Sequence, residues 1–246
     1  MTRRQAVCMG FARGVRTGHA CGEMPAAKRS SSTVRAAGGT GVVAAAATGA
    51  LVPQSFYTRD ALVVARDLLG KLLIRDGVVL RITEVEAYRH PNDTANHCRA
   101  GRTERNAAMW GPAGRAYVYL CYGMHNLLNL VTGHEGEGAA VLIRACEPLA
   151  GLPQIQRRRK MASDRPTLLA GPGKVGQALG LDPTWSHHPL YEPGGLTLHD
   201  APPVTAILAG PRVGIDYAQA SDREAPWRLA VAGTPWVTVP GTLRPV

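Results

Sequence analysis

Three stretches of this chain, "VVLRITEVEAY" at 78–88, "AYVYLCYGMHNLLNLV" at 116–131 and "AAVLIRACEP" at 139–148, carry the apolar, branched and aromatic residues of strands. Asp76-Gly77 lies between "KLLIR" and the first of them, a dipeptide suited to a tight two-residue turn, so a hairpin is predicted over 71–88. Gly123 divides the second stretch into another hairpin, and Pro148 is expected to stop the third strand. One helix is legible ahead of them in "FYTRDALVVARDLLGKLL", with Thr58 or Asp60 as cap, Leu62, Ala65, Leu68 and Leu69 on one face and Gly70 near its end. Adjacent strands with few long helices predict an α+β fold.

The 246 residues suffice for one sizeable domain. Residues 1–52 look different: they hold seven Lys or Arg against the single acid Glu23, so six of the ten surplus positive charges lie there. Their Ala/Gly/Ser-rich sequence shows no period of 3.6 or 2, which predicts a disordered basic tail ahead of a domain at 53–246. An organelle transit peptide, a DNA-binding arm and a mis-called start share this composition. The tail's apolar run is too short and alanine-rich to span a bilayer, so a soluble protein without a membrane partner is expected. The five cysteines form no C-x-x-C pair, which suits a reducing compartment.

Simple alternation puts Ile82, Glu84, Glu86 and Tyr88 on one face of their strand and Thr83, Val85 and Ala87 on the other. A solvent-facing edge has the same spacing. Arg144, however, stands in an apolar strand where an unpaired buried charge is costly, and Glu86 or Glu84 would answer it. A carboxylate kept ionised by an arginine is suited to general-base work on water. Asn129 adds a polar group within apolar "LLNLV", as a site residue or as a satisfied structural amide.

Three of the seven tyrosines, Tyr117, Tyr119 and Tyr122, fall within six residues, the first two alternating to the face opposite the third. His90, His97, Cys98 and His125 match no strong zinc spacing, and no metal or other cofactor is expected. "GPGKVG" at 171–176 lacks the βαβ context of a dinucleotide site; it reads as a helix N-terminus where Lys174 could hold one phosphate, or as a plain glycine turn. The run "QRRRK" at 156–160 reads as a solvated helix face.

"EVEAYRHPNDTANHC", "GRTERNAAMWGPAGRAYVYLCYGMHNLLNLV", "AAVLIRACEPLAG", "GPGKVGQALG" and "PWRLAVAGTPWVTV" occur in this order. Together they resemble the 3-methyladenine DNA glycosylase family that includes human alkyladenine glycosylase. The resemblance runs from about residue 54 to about residue 240, and several blocks in order are far more specific than one. It implies a single mixed domain on a curved antiparallel sheet with surrounding helices and a hairpin that probes the minor groove of damaged double-stranded DNA. By the same resemblance Glu86 activates water and Arg144 helps to hold it. Tyr88, His97 and Tyr119 surround a flipped base, Asn129 and Leu142 shape its pocket, and Tyr122 is the wedge with Met124 beside it.

Arg102, Arg105 and Lys174 are the expected phosphate contacts. Glu104 stands where the family pattern has proline, and His125 at a position aromatic in the human enzyme. The implied protein is a monomeric, monofunctional glycosylase, acting in the cytoplasm on DNA, that excises alkylated purines, with deaminated purines as a further substrate class left open. A catalytically silent nucleic-acid-binding module and a metal-dependent hydrolase using His90, His97 and Cys98 are the rival readings.

Overall fold

The computed structural model describes residues 49–246, and the expected tail otherwise lies outside the described residues. Residues 50–52 already run beside the domain: the Val52 N–H donates to the Leu198 carbonyl at 3.0 Å, and Val52 is buried. In chain order the helices are α1 (Ala61–Leu68), α2 (Leu152–Arg159), α3 (Pro172–Leu179) and α4 (Ala220–Glu224). The strands are β1 (Leu72–Arg75), β2 (Val78–Tyr88), β3 (Ala116–Cys121), β4 (His125–Thr132), β5 (Ala139–Ala150), β6 (Thr197–His199), β7 (Ile207–Gly210), β8 (Arg228–Val231) and β9 (Arg244–Pro245). This is the predicted α+β class, a single sheet with every pairing antiparallel.

Local chemistry accounts for the first elements. The Asp60 carboxylate caps α1 by accepting from the Leu62 N–H at 2.9 Å, leaving Ala61, Val64, Ala65 and Leu68 to bury one face against β2 and β5. Asp76 and Gly77 both take positive φ, +48° and +74°, the conformation that a two-residue hairpin turn needs. β2 then forms the spine of the sheet. β5 lies along one side, while β1 and β8 follow one another along the other.

Two findings correct the simple strand reading. Between β2 and β5, Thr83 is an extra residue on one strand and Arg144 an extra residue on the other, two compensating bulges that restore the register within three residues. Because each bulge flips the side-chain parity, Val78, Leu80 and Ile82 and then Val85 and Ala87 all enter the main core. Ile82 therefore does not share a face with Glu84 and Glu86, as alternation predicted. Nor does Pro148 end β5, which continues to Ala150. β4 accompanies β5 only as far as Leu142, so by Pro148 the strand has β2 alone as neighbour, where a missing N–H is tolerated.

The core lies between β2, β5 and the helices, and includes Leu68, Leu73, Leu80, Ile143 and Ile155 with no exposed surface. Each such side chain contributes roughly 1.5–3 kcal/mol of burial. α2 and α3 pack on each other, and α3 covers β4 and β5. The basic run at 156–160 is occupied in this packing: Arg158 pairs with Asp76 at 2.7 Å, and Arg159 donates to the Leu168 carbonyl at 3.0 Å. No helix among the described residues is long and apolar enough to cross a membrane.

Candidate active site

The bulge at Thr83 turns the carboxylates of β2 out of the main core, where unbroken alternation with Ile82 would have placed them. Glu84 and Glu86 project from β2 on the side away from the main core, both fully buried, and Arg144 from β5 reaches both. Its Nη1 lies 3.2 Å from Glu86 Oε1 and its Nε 3.5 Å from Glu84 Oε1. Burial works against the Arg144 cation, but Glu86 and Glu84 outweigh it and hold its pKa above the ordinary arginine value.

The two carboxylates are not equivalent. Glu84 is held by residues from the end of the chain: Arg228 Nη1 donates to Oε1 at 2.8 Å, the Thr238 hydroxyl to the same oxygen at 2.6 Å, and the Thr238 N–H to Oε2 at 2.7 Å. Glu86 Oε1 accepts from the Val213 N–H at 2.7 Å, and its Oε2 accepts from the Tyr88 hydroxyl at 2.8 Å. Each carboxylate oxygen can accept two hydrogen bonds, so among the described residues Glu86 Oε2 keeps an acceptor position for a small molecule.

A cleft of about 660 Å³ opens above this group. Tyr88, Arg144 and Val213 form the part of its lining that contacts Glu86, whose own carboxylate lies just behind them. Of the residues expected to hold a base, Tyr88, His97, Tyr119, Asn129 and Leu142 all line the cleft. The Tyr117 and Tyr119 rings stack at 5.4 Å, and His97 meets Tyr119 edge-on at 4.5 Å. His97 Nδ1 is 3.1 Å from the Tyr117 hydroxyl. Burial, with Arg105 and Arg99 nearby, lowers the His97 pKa and keeps the ring neutral at pH 7. Burial raises the Tyr88 and Tyr119 hydroxyls and pushes Tyr117 up to about 12, so all three stay protonated. The Asn129 amide donates to the Tyr117 carbonyl at 3.1 Å, which fixes it across β3 and β4.

The cleft mouth is framed by the β3–β4 hairpin and the start of α3. Tyr122 and Gly123 form the hairpin turn with φ of +50° and +68°, closed by the Met124 N–H donating to the Cys121 carbonyl at 3.1 Å. A tyrosine in the left-handed region is uncommon, and here the turn leaves the residue 86% exposed. Met124 stands beside it, 72% exposed and outside the cleft. Arg105 and Lys174 reach the cleft lining; Arg102 is exposed and does not. "GPGKVG" is indeed the opening of a helix, α3, whose Gly171, Pro172, Gly173 and Lys174 line the mouth. Glu104 occupies the first turn of a 3-10 segment, Glu104–Trp110, capped by Thr103, a position that favours an acid. Cys98, weighed as a metal ligand, packs with its Sγ 3.8 Å from Met109 Sδ.

Sequence reasoning missed the groups that arrive from the far end of the chain. Val213 and Thr238 act through backbone and hydroxyl atoms that no charge pattern reveals. Arg212 and Arg228 are two further buried arginines, paired with Asp93 and Glu84. Arg228 carried the same signal as Arg144, a lone arginine in an apolar run, "WRLAV".

Comparisons with known proteins identify the family. A family model described as Methylpurine-DNA glycosylase (MPG) matches residues 55–235. The chain belongs to that family. A Nitrosococcus oceani protein named "Putative 3-methyladenine DNA glycosylase" is 66% identical over 195 residues, covering 79% of this chain and 96% of the relative. An Arabidopsis thaliana protein named "DNA-3-methyladenine glycosylase" is 59% identical over 198 residues, covering 80% of this chain and 78% of the relative. Family membership makes the chain a DNA glycosylase, a hydrolase of N-glycosidic bonds.

Proposed function

We propose that this chain is a monofunctional DNA glycosylase that flips alkylated purines out of duplex DNA and hydrolyses their N-glycosidic bond, leaving an abasic site. The observation that carries the reading is the buried Glu86–Arg144 pair at 3.2 Å, with Arg144 on the floor of an aromatic-lined cleft and Glu86 directly behind it. A base within a duplex is out of reach of this floor and has to be extruded into the cleft. Stacked Tyr117 and Tyr119, with His97 and Tyr88, offer aromatic faces to it.

Alkylation at N3 or N7 gives the purine a positive charge and makes it a good leaving group. Glu86, paired with Arg144 at 3.2 Å, accepts a proton from an attacking water and offsets positive charge developing on the sugar. Arg144 orients that water. A neutral His97 suits a cationic base because it places no second positive charge beside it. Arg105, Arg102 and Lys174 contact phosphates around the mouth, and a single chain supplies every group of the site. The deciding experiment incubates the purified protein with methylated duplex DNA in the presence of a chelator and identifies released bases by chromatography. Free alkylated purine, matched by abasic sites, is the expected result. Release that stops in chelator would favour the metal-dependent hydrolase, and binding without release the silent module.

The exposed Tyr122 ring is the wedge that replaces the stacking of the extruded nucleotide. Tyr122→Ser keeps a Cβ in the same turn and removes only the ring. It destabilises the flipped state by roughly 1–3 kcal/mol, the scale of one base stacked on an aromatic. A fluorescent lesion in duplex DNA reports the flipping equilibrium directly. A wild-type equilibrium in Tyr122→Ser, with a defect in Tyr119→Ser, would make Tyr119 the wedge instead.

A further inference from the structure

Thr238 lies past residues 55–235 matched by the family model, yet its hydroxyl sits inside the buried charge network. The oxygen accepts from Arg144 Nε and Nη2, each at 3.3 Å, and the hydroxyl donates to Glu84 Oε1 at 2.6 Å. One edge of the Arg144 guanidinium is thereby committed, and the remaining nitrogen, Nη1, is the one that faces Glu86.

Two carboxylates compete for this cation. Glu84 Oε1 is already 3.5 Å from Arg144 Nε, and a planar guanidinium gains most by pairing both nitrogens of one edge with a single carboxylate. The Thr238 hydroxyl stands between the two groups and satisfies both at once. Without it, the Nε edge loses its acceptor, Glu84 Oε1 loses a donor, and rotation of the guanidinium onto Glu84 satisfies both at the expense of Glu86.

We propose that Thr238 is a positioning residue for the glycosylase reaction: its hydroxyl, oriented by Glu84, keeps Arg144 turned toward Glu86. The inference rests on the reading that Glu86 and Arg144 carry the chemistry. A purely structural role for Thr238 is separable, because the contacts that staple this segment to the sheet use its backbone. Its N–H donates to Glu84 Oε2, and its carbonyl accepts from Arg228 Nη1 at 2.8 Å. Thr238→Val retains both, and retains the side-chain volume.

The test compares single-turnover excision from methylated duplex DNA by the full-length wild type, Thr238→Val, Thr238→Ser, Arg144→Ala and the Thr238→Val/Arg144→Ala double variant. Lesion-DNA affinity and thermal unfolding are measured alongside. Thr238→Val is expected to slow the chemical step by roughly 10- to 100-fold, the effect of a small misplacement at a reacting centre, with affinity and melting temperature nearly unchanged. Thr238→Ser restores the rate. In the Arg144→Ala background the valine substitution slows nothing further, because the group it misdirects is gone. Thr238→Val excising at the wild-type rate, or slowing excision equally in the Arg144→Ala background, overturns the proposal. Should Thr238→Val not fold, Thr238→Ser and Thr238→Ala, which differ by the hydroxyl oxygen, carry the same comparison. Wild-type protein that releases no base overturns the functional reading itself, a result distinct from an active enzyme indifferent to Thr238.

Discussion

Glu86→Gln abolishes most excision while leaving lesion DNA bound: the single-turnover rate falls by about 10² or more, the contribution of a positioned general base. The amide has nearly the shape of the carboxylate, so its oxygen still accepts from the Val213 N–H or the Tyr88 hydroxyl and the floor of the cleft keeps its form. What disappears is the negative charge opposite Arg144 and the lone pair able to take a proton from water. A substitution that removes an interaction made mainly in the transition state lowers the rate of bound substrate rather than the affinity. Pre-steady-state excision from methylated duplex, with binding measured by fluorescence anisotropy, separates the two. Excision by Glu86→Gln at near the wild-type rate would remove Glu86 from the role of base and leave Arg144 without a catalytic partner.

Local patterns in the chain were legible because local chemistry decides them. Asp76-Gly77 makes its hairpin through two positive φ angles, and Asp60 caps α1 with its own carboxylate. The pairing of Arg144 with the carboxylate strand could be anticipated from cost alone, since a buried arginine has to find an acid. The parity of β2 could not. A bulge at Thr83 and another at Arg144 are properties of two strands together, and alternation along one strand assigns Ile82 to the wrong face. The same limit hid Val213 and Thr238, which reach the site across 127 and 154 positions of sequence through a backbone N–H and a hydroxyl. Residue type announces charge and ring; it does not announce which amide will point at a carboxylate. Tyr88, His97, Tyr119, Asn129, Leu142 and Arg144 of the cleft lining were nonetheless expected through the family resemblance, whose ordered blocks encode tertiary proximity that periodicity alone lacks.

The largest loss of stability is expected from Arg212→Leu. Arg212 and Asp93 are fully buried and paired twice, Nη1 to Oδ2 at 2.6 Å and Nη2 to Oδ1 at 2.8 Å. The same guanidinium donates to the Ala87 carbonyl at 3.0 Å and lies over Tyr88 and Trp227, 4.7 and 4.9 Å from their ring centres. Burial opposes its charge, but Asp93 outweighs that cost and raises the Arg212 pKa. Among the described residues, leucine leaves the Asp93 carboxylate with the Arg89 and Ala95 N–H groups alone, inside a site closed to solvent. Removing one partner of such a pair costs about 3–5 kcal/mol, far more than an exposed ion pair is worth. For a domain of this size that lowers the melting temperature by roughly 10 °C. Urea unfolding measures the free energy directly; a loss below about 1 kcal/mol, the exposed-pair range, would mean that water reaches the pair. The consequence extends to the cleft, because Arg212 directly precedes Val213, whose N–H holds Glu86, and Asp93 lies four residues before His97. The ion pair clamps the segment that orients the base to the segment that lines the pocket, so the molecules of Arg212→Leu that remain folded should also excise more slowly than wild type.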